Sequence, residues 1–63
     1  MKIRMLVNGH SEQQYGLSYA KYILEEQQKL GHIIVDDETK QLAKIEFLNE
    51  DSSVTVYPAI IGG

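Results

Sequence analysis

Residues of types that could do chemistry fall in four places along this chain. Asp36-Asp37-Glu38 sets three acids in a row. Carboxylates hold hard cations, but a calcium loop alternates its ligands and needs a glycine at a fixed place. A solvated turn is the stronger reading. His10 and His32 stand far apart, without ligand spacing and with no cysteine to join them, so no metal site is expected. Tyr15, Tyr19 and Tyr22 could stack nucleobases, yet their spacing better fits a core edge with hydroxyls reaching water. The fourth place is the end of the sequence, Pro58-Ala59-Ile60-Ile61-Gly62-Gly63. Two terminal glycines leave the Gly63 carboxylate without a Cβ beside it for two residues. Glycine is also permissive in φ and ψ, so such a tail can enter a narrow groove. The Gly63 carboxylate is the candidate reactive group, and no catalytic constellation is expected elsewhere.

Composition limits what the rest can be. Sixty-three residues make one domain at most. A chain this short buries only roughly 60% of its unfolded surface, and without cysteine no disulfide helps it. The absence of cysteine also removes thiol catalysis and fits a reducing compartment. With 43% apolar and 24% charged residues, the chain is globular in composition rather than disordered. Its net charge is −3 and its six basic residues are scattered, so nucleic acid is not an expected partner. No apolar run approaches the roughly 18 residues of a membrane span. The first eight residues interleave charged and apolar types, unlike a signal peptide. A cytoplasmic location and no membrane partner are expected.

The elements that must position the tail can be read from periodicity. In residues 2–8, Ile3, Met5 and Val7 alternate with Lys2, Arg4 and Asn8, the pattern of a half-buried strand. Leu6 falls on the polar face. Asn8-Gly9 is a two-residue turn signal, and residues 11–15 would fold back as a short second strand. Ser18 is a plausible N-cap. Apolar positions at Leu17, Tyr19, Ala20, Ile23, Leu24 and Leu30 then follow helical spacing over residues 18–30. Gly31 stops the helix, with Lys29 well placed for its dipole. Ile33-Ile34-Val35 is β-branched and predicts a strand. Residues 40–48 alternate again, with Ala43, Ile45 and Phe47 on one face. The last strand spans residues 54–57, with Val54 and Val56 facing in and Thr55 and Tyr57 facing out. The predicted order is ββαβββ, an α+β arrangement in which one helix covers a sheet. The predicted core is Ile3, Met5, Val7, Ile23, Leu24, Leu30, Ile34, Ala43, Ile45, Val54 and Val56.

With these elements in place, the chain resembles the ThiS/MoaD sulfur-carrier family, which has the ubiquitin-like β-grasp fold. Two stretches carry the resemblance. Leu48, then Val54-Thr55-Val56-Tyr57-Pro58 through Gly62-Gly63, matches the family's closing pattern of a leucine, a turn, a strand, a proline and Gly-Gly. Val35-Asp36-Asp37-Glu38 falls where the family often has Val-Asn-Gly-Glu. Asp51-Ser52 stands where the family usually has Gly-Asp. Ala59 stands where its molybdopterin-synthase side often has a second proline.

The resemblance implies a mixed sheet of four to five strands on one helix, with a β-grasp domain at 1–57 and a flexible tail at 58–63. It implies a carrier or co-substrate rather than an enzyme, and no bound cofactor. An activating enzyme of the ubiquitin-activating type (a ThiF/MoeB-like adenylyltransferase) would use ATP to adenylate Gly63. A sulfur donor such as a cysteine desulfurase or rhodanese would displace AMP and leave a thiocarboxylate. An acceptor synthase would take the sulfur in cofactor or metabolite biosynthesis. Gly62, Ile61, Ile60 and Pro58 would be read as the tail. Tyr57, Thr55 and Leu6 would extend the partner surface. Two alternatives stay open: a ubiquitin-like modifier conjugated through Gly63, and a β-grasp interaction module without sulfur chemistry.

Overall fold

A computed structural model describes residues 1–59. Its first strand, β1 (Lys2–Met5), pairs antiparallel with β2 (Ser11–Gln14). Asn8 and Gly9 take φ of 58° and 117°, the positive values that this dipeptide adopts in hairpins. The ladder resumes only at Met5↔Ser11, so Asn8-Gly9 sits within a longer connection rather than forming a two-residue turn. Below the turn, Tyr15 N–H donates to the Met1 carbonyl and the terminal amine of Met1 donates to the Tyr15 carbonyl, both at 2.8 Å. This pair seats Met1 in the core at 4% exposure.

The helix α1 spans Leu17–Lys29. It begins one residue earlier than the sequence predicted, with Gly16 in extended conformation as N-cap and no side-chain cap. Ser18 lies inside the first turn and does not cap. The start is set by packing instead: Ala20 and Leu24 are fully buried, with Leu17 and Ile23 beside them. At the other end Gly31 takes φ +85°. Gly31 N–H donates to the Gln28 carbonyl (2.9 Å) and His32 N–H to the Gln27 carbonyl (3.0 Å). This is a Schellman stop, which needs a left-handed residue at Gly31. Leu30, predicted to be inward, is 66% exposed. It continues the edge of the helix on which Ile23 is only partly buried, and it has passed the end of the packed face.

The chain returns as β3 (Ile33–Asp36) and closes with β4 (Ser53–Tyr57). The sheet order is β2-β1-β4-β3, with β1 and β4 parallel and the outer pairs antiparallel. The result is an α+β fold with one helix and a four-stranded mixed sheet. Ile3, Ile34, Val54 and Val56 point from the sheet to Ala20 and Leu24, and Met1 and Leu48 close the core.

The strand predicted over residues 40–48 is not formed. Lys40 has φ +62° and reverses the chain, its N–H donating to the Asp36 carbonyl. Only one bridge follows, Val35↔Leu42. A single 3-10 turn, Ile45–Phe47, then interrupts the run. The alternating pattern competed with a three-residue spacing between Ile45 and Leu48, and the latter won. Leu48 is buried at 6% exposure, while Phe47, which the alternation set on the face of Ala43 and Ile45, is 75% exposed. The described sheet therefore has four strands, and the order is strand, strand, helix, strand, 3-10 turn, strand.

Candidate functional site

The tail leaves from β4, whose sequence explains its central place. Val54, Thr55 and Val56 are β-branched and suit a pleated surface with a neighbour on each side, and all three are buried. Thr55 was expected to face out toward a partner. It is 3% exposed, flanked by Arg4 and Val35 in the register. Its hydroxyl donates to Asp37 Oδ1 at 2.6 Å, and Ser53 donates to Asp37 Oδ2 at 2.7 Å. Thr55 is thus part of the scaffold rather than an accessible surface.

The three acids divide their roles accordingly. Asp36 Oδ1 accepts from the N–H groups of Glu38 and Thr39 and shapes the turn. Asp37 ties that turn to β4. Its partial burial would raise its pKa, but the Ser53 and Thr55 hydroxyls, with the charges of Arg4 and Lys40, outweigh this and hold it below the usual carboxylate range. The reading of a purely solvated turn therefore holds for Asp36 and fails for Asp37. Among the described residues no cluster of His, Asp and Glu could hold a metal ion. His32 meets Gln27 through Nδ1 and Oε1 at 2.6 Å, whereas His10 is exposed.

At the exit of β4 the outer face of the sheet is apolar. Leu6 N–H donates to the Val56 carbonyl at 2.9 Å, which extends the parallel ladder beyond Met5. Leu6 is half-buried, and continuing the register one residue past Met5↔Val56 sets it opposite Tyr57. On the other side Tyr57 pairs with Ile33. Tyr57 and Ile33 are exposed at 42% and 43%. Leu6, just past the end of β1, thus lies in one row with Tyr57 of β4 and Ile33 of β3. Tyr57 and Leu6 are where the sequence placed them; Ile33 was missed. Its signal was available: with Ile34 turned to the core, the β-branched Ile33 must turn to the outer face.

Behind this row the outer face is charged. Arg4 donates to Glu12 Oε1 from Nε at 3.0 Å and from Nη2 at 2.8 Å, with Lys2 Nζ at 4.0 Å from Glu12 Oε2. The hydrogen-bonded pair raises the Arg4 pKa and lowers that of Glu12.

Pro58 follows Tyr57 and is exposed. It lacks an N–H, so it ends the ladder where β3 also begins. The sequence predicted that the chain would leave the body at this point. Instead Ala59 remains half-buried, and a Cβ built on Gly31 would lie 3.8 Å from the Ala59 Cβ. The residue after the proline therefore still crosses the C-terminal end of α1. Ile60, Ile61, Gly62 and Gly63 lie outside the described residues.

A second concavity sits at the opposite end of β3. It is a shallow cleft of about 330 Å³ lined by Asp36, Gln41, Leu42, Lys44 and Phe47, among others. Lys44 Nζ lies 5.9 Å from the centre of the Phe47 ring. Of its polar lining residues, Asp36 is already engaged by the N–H groups of Glu38 and Thr39.

No helix among the described residues is long and apolar enough to cross a membrane. The chain matches no family model, no curated protein and no solved structure. What it does must be read from its own residues.

Proposed function

We propose that this protein is a sulfur carrier of the ThiS/MoaD type, built on a β-grasp-like fold. The observation that carries this reading is the exit of β4. A central strand, held on both sides, hands the chain through Tyr57 and Pro58 to the Ile60-Ile61-Gly62-Gly63 sequence, beside an exposed apolar row. The four-stranded mixed sheet with one helix is compatible with the β-grasp.

In this reading Gly63 must end the working protein with a free carboxylate. A carboxylate is anionic and has no leaving group, so it is a poor electrophile. ATP supplies the leaving group: an activating enzyme forms the acyl-adenylate at Gly63 and releases pyrophosphate. A sulfur donor then displaces AMP, leaving a thiocarboxylate whose sulfur is nucleophilic. The carrier contributes the handle and the tail, and the partner enzymes contribute the catalysis. Leu6, Tyr57 and Ile33 form the part of the handle nearest the reacting end, and they are the residues a partner would grip first.

The test is intact mass spectrometry of the full chain after incubation with ATP, an adenylyltransferase of the ubiquitin-activating type and a sulfur donor. A mass gain equal to sulfur replacing one oxygen at the C-terminus is expected. An isopeptide adduct on a target lysine would identify a modifier instead. Unchanged mass with every activating enzyme encoded beside the chain would leave an interaction module.

A further inference from the structure

The strand β2 forms one border of the sheet, and nothing among the described residues covers it. All four of its residues, Ser11, Glu12, Gln13 and Gln14, are exposed. The alternation of the ladder fixes which backbone groups are free. Met1 and Tyr15 exchange both hydrogen bonds. In an antiparallel pair such exchanges recur at every second residue, so Gln13 and Ser11 also turn their backbone groups to β1. Glu12 and Gln14 turn theirs outward. Two N–H groups and two carbonyls therefore line an open border; the strand is short and carries one charge, Glu12, but no proline, bulge or covering loop among the described residues protects it.

We propose that a second copy of this chain occupies this border, with two β2 strands pairing antiparallel about a two-fold axis at Gln13. Self-complementarity and charge select the occupant and the register. With Gln13 opposite Gln13 of the second copy, Glu12 meets Gln14 twice, and all four free groups on each copy are paired. On the outer face a carboxylate then lies opposite a neutral amide that can donate to it. Sliding the register one way sets Glu12 opposite Glu12, and like charges directly opposite are unfavourable. Sliding it the other way calls on the Gly16 carbonyl, which already accepts from Ala20 N–H at 2.9 Å at the start of the helix. Glu12 also enters the seam already compensated by Arg4 at 2.8 Å and Lys2 at 4.0 Å, so the two acidic chains do not oppose charge to charge there.

The helix side of the same border supplies apolar area. Gln13 faces this side, opposite the buried Ile3 in the register, and its Oε1 accepts from the Tyr15 hydroxyl at 2.7 Å. Tyr15 meets Tyr19 edge-on at 5.6 Å, and Tyr19 stacks with Tyr22 at 6.3 Å. Tyr19 and Tyr22 are 60% and 57% exposed. This ladder was read from sequence as a core edge; in the dimer it flanks the seam. Four backbone bonds and these rings make a small interface, and small interfaces are weak. The product is one continuous sheet of eight strands, with β1 standing between each β4 and the β2 strand at the seam.

Sedimentation equilibrium of the full chain, up to on the order of 1 mM, tests the proposal. A concentration-dependent rise from 7.2 kDa to twice that mass is expected. Gln14→Pro removes one outward N–H at a border position where proline is tolerated; it should keep the circular dichroism of the wild type and stay monomeric. Hydrogen exchange on the wild type gives an independent measurement. The amides of Glu12 and Gln14 should slow as concentration rises, while those of Ser11 and Gln13, bonded to β1, stay slow throughout. A monomer at every concentration overturns the proposal. So does a dimer that survives Gln14→Pro, or one in which the Glu12 and Gln14 amides exchange freely.

Discussion

The two strands β4 and β2 belong to one sheet and share almost nothing else. β4 reads Ser-Val-Thr-Val-Tyr and is buried through its middle three residues; β2 reads Ser-Glu-Gln-Gln and is exposed throughout. β4 has partners on both sides, β2 on one. The first is a strand by its own composition, through β-branched residues that pack on both faces. The second is a strand because β1 and the Met1–Tyr15 exchange hold it there. A protein this small can therefore divide its sheet: one strand carries stability and delivers the tail, the other leaves its backbone groups available.

The largest expected effect breaks this comparison at the tail. On the proposed function, Gly63→Ala adds a Cβ beside the carboxylate and should slow adenylation about a hundredfold, the scale of loss when a reacting group is misplaced by an ångström. Thermal unfolding should not change. Pyrophosphate release in the presence of the activating enzyme checks it, and a normal rate would refute the steric account of the glycines. Next comes the interior of β4. Val54 is fully buried, so Val54→Ala should cost about 1.5–3 kcal/mol in urea unfolding. A smaller loss would mean that the core closes around the gap.

A smaller change probes the polar side of the same strand. Thr55→Val removes the hydroxyl that donates to Asp37 at 2.6 Å and should cost about 1–2 kcal/mol at neutral pH. Its pH dependence has a definite sign. The Asp37 pKa is lowered from an unperturbed 3.8 on folding, so its contribution is present above that value and is lost as pH falls through the lower, folded-state pKa. The wild type should lose stability on acidification through this range, and Thr55→Val should lose less because less is there to lose. Parallel acid limbs in the two proteins would show that the hydroxyl does not set the Asp37 pKa. The smallest effect is expected on β2. Gln14→Ala should fall within about 0.5 kcal/mol of wild type in dilute solution, and a loss as large as that of Val54→Ala would erase the distinction between the strands.

Much of this fold was legible in the sequence, and particular residues show where legibility stopped. The helix, its stop at Gly31, and the inward Ile3, Ile34, Val54 and Val56 were readable because period and burial agree there. Residues 40–48 were misread because alternation at Ala43, Ile45 and Phe47 overlaps a three-residue spacing that only the position of Leu48 in the core resolves. Thr55 was misread because a strand's outer face is normally wet, and nothing local says that Asp37 will fold over it from another turn. Met1 was overlooked because a chain end is rarely core; its burial depends on a hydrogen bond to Tyr15. Near the exit of β4, the exposure of Tyr57 was legible, whereas Pro58 was expected to release the chain and Ala59 instead stays half-buried. That Ile33 faces outward could have been read from the inward Ile34; its place beside Tyr57 depends on the β3–β4 register, which a sequence does not display.

The half-buried place of Ala59 near the end of α1 bears on the proposed function as a leash would. If the chain were released at Pro58, six residues would separate the body from the carboxylate. With Ala59 resting on the end of α1, only four lie beyond the anchor, and an extended chain gains at most about 3.6 Å per residue. In the proposed function, where Gly63 carries the reacting carboxylate, those four residues span at most roughly 14 Å. On the proposed function, an enzyme whose reaction centre lay deeper would first have to peel Ala59 from the helix, and that step would let it tell one carrier from another.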